Sequence, residues 1–230
     1  MKNKRKGFAG WSITFFMLML GVALFSWIGS IYGIGNIQSL LSAEGVRWLL
    51  GHVMSNYMQT PALGIVLVLM MGLGVGMQSG LSNALKRFFQ PGILLSRKER
   101  RALMLTFGAL AAYVLLVAVS ILLPWSIAQG VTGEWLYSPL FKGSIYVLSL
   151  GIGLSGLVYG YASDTFLRFG DVFDAMSLLI ARNASFFVML FFLAQFFASL
   201  NYTRIGECLG ISPEILSLLS QLCSYIPLIF

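Results

Sequence analysis

Uncharged, mostly apolar runs of 18 or more residues recur along the chain at 8–33, 61–79, 102–129, 143–163 and 183–201. A helix needs roughly 20 residues to cross a hydrocarbon core of about 30 Å, so each run is long enough to span a membrane. A sixth stretch, 211–230, opens on Ser212-Pro213-Glu214, a helix start with Ser as N-cap and Pro at the first position. Behind it Ser217, Ser220, Gln221 and Ser224 fall at i, i+3, i+4 and i+7 on an otherwise apolar helix. Lipid offers hydroxyls no partner, so this stripe must face other helices, a cavity or the interface. The segment reads as a short sixth span or a re-entrant helix.

Two connecting segments also carry the helical period. Val46, Leu49, Leu50, Val53, Met54 and Tyr57 place one apolar face on 43–58, with Ser42 as N-cap. This amphipathic helix either lies in the outer interface or dips into the membrane as part of a hairpin. Val172, Phe173, Met176, Leu179 and Ile180 share one face of 171–182. The longest polar connection, 80–101, has 22 residues and a Pro91-Gly92 turn, which leaves no room for a soluble domain. The pattern predicts an all-α, polytopic integral membrane protein. Five or six transmembrane helices and amphipathic connecting helices would form a single transmembrane domain over 1–230.

The charges orient it. With the N-terminus in the cytoplasm, that side receives Lys2, Lys4, Arg5, Lys6, Lys86, Arg87, Arg97, Lys98, Arg100, Arg101, Arg168 and Arg182. The opposite side keeps Arg47, Lys142 and Arg204, the asymmetry of a protein inserted positive-side in. The net charge of +7 is therefore an orientation signal that also attracts anionic lipid, and not a nucleic-acid footprint. Membrane lipids are the expected surroundings and a bacterial inner membrane the expected location. The first run is too long for the apolar core of a signal peptide, and no small-x-small cleavage site closes it. Cys208 and Cys223 are too few for a disulfide framework and read as small packing residues.

Chemistry-bearing residues are scarce. His52 is the sole histidine, and no Cys/His or carboxylate cluster has metal-ligand spacing. Neither a nucleophile elbow nor a Gly-rich phosphate loop occurs, so no enzyme activity, metal or cofactor is expected. Gly72, Gly76 and Gly80 lie four apart, and Gly156 and Gly160 repeat the spacing in the fourth run. Small residues four apart let helix backbones touch, either as plain packing or as a deformable segment lining a transport site. Asp164, just beyond the fourth run, can bind a coupling cation or relay a proton, or it can cap the next helix. Gln195 and Asn201, in and at the end of the fifth run, must find partners in another helix or in a solute.

Several stretches together resemble the AbgT family of aminobenzoyl-glutamate transporters. The first runs from Leu40-Leu41-Ser42-Ala43-Glu44-Gly45-Val46-Arg47-Trp48 through Pro61-Ala62-Leu63-Gly64 to Gly72-Leu73-Gly74-Val75-Gly76 and Ser79-Gly80-Leu81. Leu95-Ser96-Arg97-Lys98-Glu99-Arg100 is similar to the segment that precedes a family span. Ser138-Pro139-Leu140-Phe141-Lys142-Gly143 comes next, with Gly156-Leu157-Val158-Tyr159-Gly160, and then Phe192-Leu193-Ala194-Gln195-Phe196-Phe197-Ala198. All stand in family order. The resemblance implies a cation-coupled secondary transporter of an aminobenzoyl-glutamate-like or other aromatic-acid solute, working as a homodimer. The chain departs from the family in being much shortened. The two re-entrant hairpins would fall between Gly80 and Leu95 and between Asn201 and Gly210, where their motifs are absent. That departure implies the alternative of a transport-incompetent scaffold or regulatory subunit with a membrane-protein partner.

Overall fold

The computed structural model describes residues 2–90, 96–122 and 139–229. Among them the chain forms helices and no strand: α1 (Lys2–Ile31), α2 (Ala43–Met58), α3 (Pro61–Gln78), α4 (Leu81–Phe89), α5 (Arg97–Leu122), α6 (Pro139–Lys142), α7 (Ser144–Ala162), α8 (Phe169–Arg182), α9 (Ala184–Thr203), α10 (Ile205–Cys208) and α11 (Pro213–Ile229). Five are long and apolar enough to cross a membrane: Gly7–Ile31 within α1, then α3, α5, α7 and α9. These are the five predicted runs, although the end of the third, 123–129, lies outside the described residues. In the tail, α11 is one continuous helix of 17 residues, about 26 Å long.

The chain divides into two compact units, Met1–Gly64 with Asn183–Phe230, and Ile65–Arg182. In the first, α1 and α9 run parallel, and their contacts advance in step. Phe8 meets Phe186 edge-on at 6.0 Å, Phe16 meets Phe192 at 5.5 Å, and Val22 clusters with Ile37 and Ile205. Phe186, Met189, Leu190 and Leu193, at i, i+3, i+4 and i+7, give α9 a fully buried stripe. The chain leaves α1 through Gly33 and Gly35, both left-handed, and folds back so that Leu40 N–H donates to the buried Ser26 hydroxyl at 3.0 Å. Ser42 then caps α2 by accepting from Gly45 N–H at 3.0 Å.

In the second unit α3 and α7 run parallel in backbone contact, and α5 packs along α7, with the Tyr113 hydroxyl donating to Val147 O at 2.7 Å. A short helix not predicted from the sequence, α4, fills part of the 80–101 connection. Leu81 and Ala84 bury against Ala102, Leu103 and Tyr159. The Pro91-Gly92 turn lies outside the described residues. α8 departs from its predicted face. Val172, Ala175 and Leu179 are buried while Phe173 is exposed, because small Ala175 lets the helix reach Gly74 of α3. Its start is held by Asp171, whose carboxylate accepts from Arg168 N–H at 2.9 Å and Leu167 N–H at 2.8 Å. Those donors, Arg168 first, hold this carboxyl below its ordinary range. The cap is therefore complete at neutral pH and is lost as pH falls through that lowered value.

Candidate functional site: a polar seam inside the apolar spans

Gln195 lies in the middle of α9, 3% exposed, next to a buried apolar stripe and one turn before the buried hydroxyls of Ser199 and Thr203 begin. Its amide reaches α2. Nε2 donates to Val53 O at 2.7 Å, and Oε1 accepts from Asn56 Nδ2 at 3.4 Å. On one side of this contact the Tyr57 hydroxyl donates to Phe187 O at 3.2 Å. On the other, Trp48 stacks on Tyr202 with ring centroids 4.3 Å apart, and His52 stacks on Trp48. As the α2 number rises the α9 number falls, so the two helices are antiparallel. Phe187 to Tyr202 is about 22 Å of helix, most of a bilayer core. Of the two placements open for the 43–58 helix, this pairing along α9 favours the one that dips into the membrane.

Asn201 is on the same helix but exposed, six residues from Gln195 and about 120° around the axis. It edges a cleft with Arg204, Glu207, Pro213 and Leu216, whose accessible volume of about 10 Å³ has room for about one water molecule. Asp164 belongs to the other unit. It follows α7 in a left-handed turn (φ 56°), exposed and ion-paired with Lys98 of α5. It caps no helix; the cap is Asp171, seven residues on. The structure thus brings Gln195 to α2, and it leaves Asn201 and Asp164 exposed, each within its own unit.

Each of the singled-out glycines lies near a neighbouring group, Gly80 the least closely, with the Tyr159 ring 3.9 Å from where its Cβ would be. A Cβ on Gly72 would stand 2.3 Å from Ser149 O, and one on Gly156 would stand 2.8 Å from Gly76 N. The Ser149 hydroxyl donates to Val68 O at 2.6 Å across the same seam. Gly76 also meets Ile152, while Gly160 lies under the ring of Phe166 in the turn that follows α7. Gly80 differs, serving the turn between α3 and α4 with a φ of 83°. Sequence reasoning missed Asn56 and Ser149. Asn56 was findable, since it sits three residues past Val53 on the apolar face of α2.

The sequence model of the AbgT transporter family matches residues 12–91 and 86–229. This chain belongs to the AbgT family. Its match divides within 86–91, inside the connection where the first family hairpin would fall. No curated protein matches this AbgT chain. Two solved structures share its fold. The Alcanivorax borkumensis YdaH transporter superposes with a TM-score of 0.76 at 18% identity, covering 94% of this chain and 82% of that one. MtrF of Neisseria gonorrhoeae, from a class of antimetabolite efflux pumps, superposes with a TM-score of 0.78 at 16% identity, covering 94% and 79%. The all-α membrane fold is that of an AbgT-family transporter.

Proposed function

We propose that this chain moves a small organic anion of the aminobenzoyl-glutamate type across the bacterial inner membrane, driven by a cation gradient and working as a homodimer. The observation that carries this reading is the family match, which runs from residue 12 to residue 229. Gln195 with Asn56 offers a solute paired amides at mid-depth, where few other polar side chains are found. Asp164 is the carboxylate at the end of a glycine-rich span and takes the coupling role, with Asn201 at the outer mouth.

One observation favours a second reading, a transport-incompetent scaffold. The Gln195 amide is bonded at both ends and the Asp164 carboxylate is paired with Lys98, so both groups are already satisfied within the protein. Purified protein in liposomes decides between them. Gradient-driven uptake of labelled aminobenzoyl-glutamate, lost with an ionophore and uncoupled by Asp164→Asn, supports transport. Background uptake by a folded dimer that co-purifies with a stoichiometric membrane protein overturns it in favour of the scaffold.

The orientation has its own test. With Cys208 and Cys223 replaced by Ser, cysteines placed at Lys98 and Arg168 are expected to be shielded from an impermeant thiol reagent in intact cells, and one at Glu207 to be labelled. Outside labelling at position 98 overturns the cytoplasmic N-terminus.

A further inference from the structure

The first turn of α5 crowds positive charge where a helix least tolerates it. Arg97, Lys98, Arg100 and Arg101 stand at its N-terminus, the positive end of the helix dipole, and Lys86 and Arg87 close the adjoining α4. Two acids offset them, and both are engaged. Glu99 takes Arg87 at 3.0 Å with one oxygen and Ser96 N–H at 3.0 Å with the other, while Asp164 takes Lys98. Among the described residues this leaves Lys86, Arg97, Arg100 and Arg101 exposed and without an acidic partner.

The exposed cations of α5 share a face. Positions 97, 100 and 101 lie within about 100° of arc, and the same face continues through Met104 to Gly108. Met104 is 60% exposed, and nothing lies within 4 Å of where a Gly108 Cβ would be. Beside this face the ring of Phe88 lies against that of Phe107, its centroid 6.5 Å away, both largely exposed. Phe107 is about 10 Å along the helix from Arg100. Cations at one level, with bare apolar surface and an open notch about 10 Å deeper, match the phosphate and acyl portions of a membrane lipid. A soluble anion would use the upper half alone, and an orientation signal requires neither the phenyl rings nor the notch.

We propose that the α4–α5 corner is a binding site for an anionic phospholipid, its phosphate held by Arg97, Arg100 and Arg101 and its acyl chain lying over Met104 and Gly108 against Phe88. Phosphatidylglycerol and phosphatidylcholine, added separately to the purified full chain in detergent, are the probes. Phosphatidylglycerol is expected to raise the thermal midpoint and to survive delipidation on the protein, an effect that fades at high salt. Replacing the three arginines by Gln is expected to weaken retention about a hundredfold, at about fivefold per cation. Gly108→Trp fills the notch without touching the charge, its Cβ meeting nothing within 4 Å, and it is expected to abolish phosphatidylglycerol retention in a normally folded protein. Equal effects of phosphatidylcholine, or undiminished retention by Gly108→Trp, overturn the site. Stabilisation by millimolar inorganic phosphate alone overturns the lipid assignment.

Discussion

Gly72→Ala is expected to lower the thermal midpoint of the detergent-purified protein by roughly 5–10 °C, although it adds one methyl group. The added carbon would stand 2.3 Å from Ser149 O and 2.4 Å from its hydroxyl. A backbone carbonyl cannot rotate aside, so α3 and α7 must separate along their whole contact. Separation also breaks the bond from the Ser149 hydroxyl to Val68 O and opens the backbone approach of Gly156 to Gly76. The penalty falls at the upper end of the ~1–3 kcal/mol typical of overpacking. Leu69→Met, a near-isosteric change in the same helix, is expected to shift the midpoint by less than about 2 °C. Fluorescence-monitored size-exclusion after heating compares the two. Indistinguishable midpoints would remove the packing role of Gly72.

Gln195→Leu is the second large effect, and it acts on position as well as on stability. It strips Asn56 of its acceptor and Val53 O of its donor at mid-membrane depth, where no water replaces them. Interhelical hydrogen bonds in membranes contribute ~0.6–2 kcal/mol, and an orphaned buried polar group adds ~1–3 kcal/mol. With the tether gone, α2 is expected to rise toward the interface. With Cys208 and Cys223 replaced by Ser, a cysteine at the exposed Met54, silent toward a water-soluble maleimide before the change, should then label readily. Adding Asn56→Leu removes the orphaned amide and is expected to restore part of the lost stability. A cysteine at position 54 that stays silent in the Gln195→Leu protein refutes the tether.

The spans were legible because a bilayer imposes a length, and about twenty apolar residues without a charge leave few alternatives. The helix at 43–58 was legible from its period and its Ser42 cap, and its limits agree with those of α2. Its depth was not. Periodicity tells which face is apolar, but its polar anchor is Gln195, 142 residues from Val53. Spacing likewise marked Gly72, Gly76 and Gly156 as close-approach positions without saying that Ser149 and α7 stand opposite. α4 escaped because its five apolar positions, Leu81, Ala84, Leu85, Phe88 and Phe89, sit in a stretch read for its charges. At Asp164 the local signal suited either a cap or a cation ligand. The structure shows no cap there, because the left-handed turn aims the carboxylate at Lys98, 66 residues away. Local rules reach one helical turn, and these pairings reach across the chain.

The same separation sets a timetable for biosynthesis. At about 5–20 residues per second, roughly 7–30 s pass between the emergence of Val53 from the ribosome and that of Gln195. Through that interval α2 has no amide to hold it at depth, and its charged positions, Glu44 and Arg47, belong in water. A helix with one apolar face is stable lying in the interface, so α2 is expected to wait there and to enter when α9 is made. The interfacial placement that the sequence allows is thus the expected station on the assembly route. A ribosome stalled before residue 195 would hold α2 at it.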